Sequence, residues 1–404
     1  MQLIKMAWRN IWRNKVRSLA VMAAVFLGLV AGMYSAALVE GIMHSRFENF
    51  IENQISHIQI HHPNFILENE VFQTVGGDMS DLESVQKIPG VNSATVRTRI
   101  QCMIASASHT GGVELYGIRP KSENQTTNFS RHLVEGDYLK GEANNGILIG
   151  ESLAEKLKVG IGSRIVLSYQ DKANNLVSGA FIVRGIFNSG FNRYDESTAF
   201  VFQDYLNEYL GIGEDFHELA VLAEDINDLE SIRPALQQRF PESSVRTWNE
   251  IEPALEIMIT SSDLFSYIFI ILIMIGLAFG LLNTMLMAVF ERTREIGMLM
   301  AVGMNRRKVF LLIAMETLFL SFSGAAIGLL VGYLLVAWFA KRGLDLSAFS
   351  DVMYELGVDA VVHPVLDPNF PLVLALIVIA TALLSAIYPA IKALSLSPIE
   401  AIRK

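Results

Sequence analysis

Residues 291–304 read Glu-Arg-Thr-Arg-Glu-Ile-Gly-Met-Leu-Met-Ala-Val-Gly-Met, a charged root and an apolar tip wedged between two long hydrophobic stretches. Residues 264–290 hold no charged side chain, and residues 309–340 hold only Glu316. A helix of roughly 20 apolar residues crosses a bilayer core, so each stretch can span. The link between them must then sit at one membrane face, presented to whatever lies on that side. Its root is Glu291, Arg292, Thr293, Arg294 and Glu295, followed by Ile296, Gly297, Met298, Leu299 and, after a short apolar run, Gly303. Glu291 and Glu295 stand one helical turn apart, and methionine adapts to a shallow pocket on a partner. Spacing alone fits an ordinary amphipathic turn equally well.

Two further uncharged runs, 18–39 and 370–391, make four candidate spans. Mean hydropathy is +0.37 and 18% of residues are charged, below the roughly 25% of soluble domains, which fits a membrane protein with a large water-exposed part. Lys and Arg near the span ends set orientation. The first 17 residues hold Lys5, Arg9, Arg13, Lys15 and Arg17 and no acid, the link holds Arg292, Arg294, Arg306, Arg307 and Lys308, and the tail holds Lys392, Arg403 and Lys404. These three segments are expected in the cytoplasm. Residues 42–263 carry 17 bases against 31 acids and, with the acid-rich loop 341–369, are expected outside. That negative outer surface argues against nucleic acid as a partner.

The first run is too long for a signal peptide and no clear cleavage site follows it. Ahead of it Leu3, Ile4, Ala7, Trp8, Ile11 and Trp12 form one helical face opposite Lys5, Arg9 and Arg13, the pattern of a helix lying among headgroups. The expected division is a cytoplasmic interfacial helix at 1–17, a first span at 18–39, an outer domain with stalks at 40–263, a second span at 264–290, the link at 291–308, a third span at 309–340, an outer loop at 341–369, a fourth span at 370–391 and a cytoplasmic tail at 392–404. Strand patterns at 57–61, 113–117, 146–150, 164–169, 180–187 and 219–223 alternate with helical patterns at 80–88, 152–157, 203–210 and 228–240, so the outer domain reads as α+β. A last amphipathic stretch, 250–259, leads back to the membrane. The single cysteine, Cys102, reads as a small buried hydrophobe on a weakly alternating strand.

Several stretches resemble one family. The link 291–304 resembles the short helix that FtsX-like and MacB-like permeases offer to their ATPase. Val113-Glu-Leu-Tyr-Gly-Ile-Arg-Pro120, Gly146-Ile-Leu-Ile-Gly-Glu-Ser-Leu-Ala-Glu-Lys-Leu157 and Phe181-Ile-Val-Arg-Gly-Ile-Phe187 resemble the MacB-type periplasmic core, and the proline-containing ending at 388–402 resembles the family's last span and tail. The resemblance, closest to a LolC/LolE-like lipoprotein-releasing permease, implies four transmembrane helices, a MacB-like periplasmic core, a bacterial inner-membrane location and a mechanotransmission mechanism in which ATPase motion reaches the outer domain. It implies as partners a cytoplasmic ABC ATPase, a second permease copy or homologue, membrane lipid, a lipoprotein cargo and a periplasmic carrier. No Gly-x-x-x-x-Gly-Lys-[Ser/Thr] loop occurs here, so ATP and magnesium are expected on a separate ATPase, with no cofactor on this chain and no catalysis by it. LolC-type permeases capture their carrier with a hairpin extension; the corresponding stretch 170–179 is short and polar, which argues against direct carrier capture here. MacB-like efflux, FtsX-like activation of an outer hydrolase and an ATPase-independent scaffold stay open.

Within the third span, Glu316 is expected to make a structural hydrogen bond to a neighbouring helix, since the other spans supply only neutral polar groups. Gly324, Gly328 and Gly332 recur every fourth residue and put a small-residue stripe on one helix face, where another helix can approach or two permeases can meet. His57, His61 and His62 fall on a strand pattern closed by Pro63 and are not expected to bind metal. Gly150-Glu-Ser-Leu-Ala lacks the second glycine of a nucleophile elbow.

Overall fold

The fold was obtained as a computed structural model, which describes residues 2–13, 15–76, 79–140 and 144–394. The ending motif beyond residue 394, including Arg403 and Lys404, lies outside the described residues. The chain forms two compact units, one comprising 1–44, 260–345 and 361–404, the other 45–259 and 346–360.

Among the described residues four helices are long and apolar enough to cross a membrane: Ser18–Phe50, Pro253–Glu291, Arg306–Arg342 and Phe370–Leu394. Each extends the apolar run read from the sequence, because polar residues continue the helix past the hydrophobic stretch. The first spanning helix, Lys15–Phe50 as a whole, is packed from several sides. Val25, Leu29 and Met33, four residues apart and fully buried, form a ridge that fits the glycine stripe of the third spanning helix. A Cβ on Gly324 would lie 2.7 Å from the Met22 carbonyl oxygen, one on Gly328 3.1 Å from Leu29 Cβ, and one on Gly332 2.9 Å from Met33 Sδ. The stripe's groove is thus filled by the chain's own first span, and the reading of it as a seam between two permeases is not met. Gly28 faces Leu277 of the second spanning helix and Gly32 faces Leu374 of the fourth.

The second unit holds a ten-stranded sheet: β1 Ile58–His61, β2 Val91–Ala105, β3 Thr110–Ile118, β4 Leu133–Gly136, β5 Gly146–Gly150, β6 Arg164–Gln170, β7 Leu176–Phe187, β8 Thr198–Phe202, β9 Glu218–Ala223 and β10 Ser244–Thr247. The path runs β10-β1-β9-β2-β3-β8-β5-β7-β4, and β6 pairs with both β7 and β2. Strands β2, β3, β8, β5, β7 and β6 therefore close into a ring. Its interior is apolar, filled by Ile100, Leu115, Ile149, Leu167, Val183 and Val201 and by Cys102, all buried. Strand β2 is shared: its first half pairs with β9 and its second half with β3. The loop between the third and fourth spans, read as a separate segment, contributes residues 346–360 to this unit. There the Tyr354 hydroxyl donates to Asp195 Oδ2 at 2.6 Å and lies 3.0 Å from Ser152 Oγ.

Two buried polar clusters brace the sheet, the first of them at the stalk end. Arg97, 2% exposed, donates to Glu123 and Glu218 and, through Nη1, to the Gln54 carbonyl oxygen at 2.9 Å. Removing one partner from such a buried group typically costs about 3–5 kcal/mol, so the π-turn Ile51–Ile55 at the stalk end is firmly fastened to β2. The second cluster stacks His61 on Phe65 at 5.5 Å and Phe65 on His217 at 4.9 Å. His61 Nδ1 meets the His217 carbonyl oxygen, and His217 Nε2 meets that of Val71. Burial pushes the imidazoles down to about 3 and about 4 respectively.

This predicts an acid-labile outer unit. Unfolded imidazoles take protons near their ordinary 6.5 while the folded ones resist until about 3 and 4. The unfolded chain therefore binds more protons across that window, and stability falls as pH drops below 6.5. Asp195, pushed up by burial to about 6, works the other way, but one carboxyl against two imidazoles leaves a net loss on the order of 2–3 kcal/mol by about pH 5. The thermal midpoint of this unit should fall between about pH 7 and pH 5, and a flat or rising midpoint contradicts the assignment.

Candidate functional site

The link folds as a helix, Thr293–Ala301, that begins one residue after the second spanning helix ends at Glu291. It stops because Gly303, at φ +103°, turns the chain where a side chain would be strained. Asn305 then caps the third spanning helix by accepting from the Lys308 N–H at 2.9 Å. One face of the short helix is buried: Ile296 joins Val289, Val309 and Ala393 in a small core, with Met300 and Met304 packed against it. Gly297 is buried too. Glu291, Arg294, Met298 and Val302 lie on the opposite, exposed face, Val302 at 89%. Helical phase divides the apolar tip into a buried and an exposed row, since residues three and four apart share a side. Leu299 and Thr293 fall between the two faces.

The root is a chain of alternating charges. Arg13, at the end of the interfacial helix Gln2–Arg13, is ion-paired with Glu295. Glu295 Oε2 accepts from Arg292 Nε at 3.2 Å. Arg292 Nη1 reaches on to Glu316, 2.9 Å from Oε2 and 3.2 Å from Oε1. A cation from the link therefore engages Glu316, a partner the sequence reading did not supply; a long arginine at a helix end can reach back into the bundle. The pair is largely shielded, with side-chain exposures of 17% and 9%. Burial works to raise the Glu295 pKa, but hydrogen bonds from Arg13 and Arg292 outweigh it and hold the carboxyl below its ordinary value. Trp8 of the interfacial helix packs edge-on against Phe319 at 5.9 Å, next to this chain of charges in sequence and on the third spanning helix.

Spacing marks the segment as a charged and apolar link but does not reveal its ion pairs. Glu291 and Glu295 look equivalent by spacing, yet Glu291 is exposed and Glu295 is tied into ion pairs. The only advance signal for the Arg292 pair was an acid in an otherwise uncharged span. Among the described residues no group of His, Cys, Asp and Glu is arranged to hold a metal ion. His57 Nδ1 instead accepts from the Ala223 N–H at 3.0 Å, and His62 Nδ1 from the Asn64 N–H at 3.3 Å.

The FtsX-like permease C-terminal family matches residues 267–398 and the MacB-like periplasmic core domain family matches residues 18–239. This chain is an ABC transporter permease of the FtsX/MacB type. The permease is 22% identical to the lipoprotein-releasing system transmembrane protein LolC of Neisseria meningitidis, over 97% of its own length and 95% of that protein's. It is also 22% identical to an uncharacterised ABC transporter permease of Methanocaldococcus jannaschii, over 99% and 97% of the two chains. With the macrolide export ATP-binding/permease protein MacB of Bdellovibrio bacteriovorus it shares 25% identity over 96% of the permease and 60% of that larger chain.

Proposed function

We propose that the permease couples a separate cytoplasmic ABC ATPase, which holds ATP and magnesium, to movement of the α+β unit outside the bacterial inner membrane, and that this movement releases lipoproteins from that membrane. The termini and the link helix face the cytoplasm in this reading, as the Lys and Arg distribution indicates. The exposed face Glu291, Arg294, Met298 and Val302 is the dock, and the alternating charges beneath it transmit its displacement. A second permease, copy or homologue, is expected beside it. The second spanning helix offers room for one, since a Cβ at Gly276 or Gly280 would meet nothing within 4 Å among the described residues.

Helix continuity carries this reading. The first spanning helix runs unbroken for 36 residues, roughly 54 Å, and the second for 39, roughly 58 Å. Both exceed the ~30 Å hydrocarbon core, so each reaches past it as a stiff rod. Near the outer end of the first rod Phe47 packs edge to face at 4.9 Å against Trp248, on the short helix Trp248–Ile251 that precedes the second rod in sequence, and Arg97 fastens the first rod's end to the sheet. Lipid-linked cargo suits the spans because their one acid is engaged by Arg292, which leaves an apolar path with little to bind a polar solute.

Efflux of periplasmic molecules with a separate ATPase is the second reading. Strands β6 and β7 are joined by a tight turn in which Asp171 accepts from the Ala173 and Asn175 N–H groups. No extension for capturing a soluble carrier fits there. Photocrosslinkers at residues 30–38 and 264–271 should capture acylated lipoprotein in an ATP-sensitive manner. Normal lipoprotein delivery in depleted cells, with new sensitivity to a soluble drug or peptide, would replace release by efflux.

A further inference from the structure

The α+β unit contains a cavity of about 520 Å³ whose walls include Arg46 and Phe50 at the end of the first spanning helix and Leu255 and Met258 at the start of the second. Arg99 and Arg193 also line it. Arg99 is spent, ion-paired with Glu114 and lying over the Tyr116 ring. The guanidinium groups of Arg46 and Arg193 make no hydrogen bond or ion pair among the described residues. Arg46 also lines a small adjoining recess with Asn49, whose buried Nδ2 has no acceptor. Two guanidinium groups without a protein partner among the described residues thus line one cavity, and a further unpartnered donor, Asn49 Nδ2, lies in the recess that Arg46 shares with it. Two carboxylates also line the cavity: Glu114, which Arg99 engages, and Glu252, which is not within ion-pair distance of Arg46 or Arg193 among the described residues.

A half-buried guanidinium without a counter-ion is costly, and an anion with several acceptor oxygens would satisfy all three donors. Phe50, Leu255 and Met258 give the cavity apolar lining as well, and in sequence both rod ends lie about two helical turns from the uncharged runs. The size is that of a small-molecule site. We propose that this cavity binds the phosphate of an anionic lipid, with Arg46 and Arg193 on the phosphate, Asn49 donating beside them and the first part of the acyl region against Phe50, Leu255 and Met258. The site is independent of the cargo the permease handles.

Calorimetric titration of the full chain in uncharged detergent tests this, with dihexanoyl phosphatidylglycerol, dihexanoyl phosphatidylcholine and inorganic phosphate as separate probes. Phosphatidylglycerol should bind at least tenfold more tightly than the other two. Arg46→Gln and Arg193→Gln should each weaken it about tenfold, and Glu252→Gln should tighten it. Arg193 is exposed, so its replacement leaves the fold intact even if Arg46→Gln lowers the thermal midpoint. Equal binding of the two lipids, or phosphatidylglycerol affinity unchanged in Arg193→Gln, overturns the site. Inorganic phosphate binding as tightly as phosphatidylglycerol overturns the lipid and leaves a free-anion site.

Discussion

Replacing Arg292 with methionine should uncouple the permease and destabilise its membrane unit together. The substitution keeps the volume and apolar stem but strips Glu316 of the guanidinium that lies 2.9 Å away. Glu316 is only 9% exposed on the side chain, and removing one partner of such a shielded ion pair typically costs about 3–5 kcal/mol. It would also cut the connection from Glu295 to the third spanning helix. The thermal midpoint should fall, and stimulation of the partner ATPase should drop by at least tenfold. Adding Glu316→Gln removes the stranded charge, so the double variant should regain stability without regaining coupling. A purely structural pair would restore both. A single Arg292→Met variant as stable and as stimulating as the wild type contradicts the role given to this pair.

Elements governed by local pattern were readable from the sequence. Strand β5, Gly146–Gly150, and the helix Gln203–Leu210 run over the residues their patterns mark: the first is an apolar run bounded by glycines, the second ends where Gly211 takes φ +70°. The first half of β2 was not readable. Residues 93–98 are buried on both faces, so the period-two signal is erased, and Ser93, Thr95 and Arg97 point inward where apolar residues are expected. Strand β8 is likewise buried along its whole length.

The candidate site divides in the same way. Periodicity marks the link as helical and charged at its root. It cannot say that Arg13 meets Glu295 across 282 positions of chain or that Arg97 meets Glu218 across 121. Such pairs depend on packing between distant elements, to which spacing is blind. The phase of the short helix could have been read more finely: Ile296, Met300 and Met304 recur every fourth residue, and so do Arg294, Met298 and Val302, which are the buried and exposed rows respectively.

The exposed row supplies the second large effect. Met298 is 53% exposed and Val302 89%, and neither contributes to the small core under the link. Glutamate at both positions should therefore leave the fold unchanged. It should also put two like charges into an apolar contact that a partner must desolvate, a penalty of several kcal/mol and so a loss of at least a hundredfold in affinity. The direct measurement is co-purification of the phosphate-loop ATPase with tagged wild-type permease and with the Met298→Glu, Val302→Glu variant, alongside each protein's thermal midpoint. The dock assignment predicts that the wild type retains the ATPase and that the variant, equally stable, loses it. Equal retention of the ATPase by a folded double variant would contradict the claim that this face couples the permease to ATP hydrolysis.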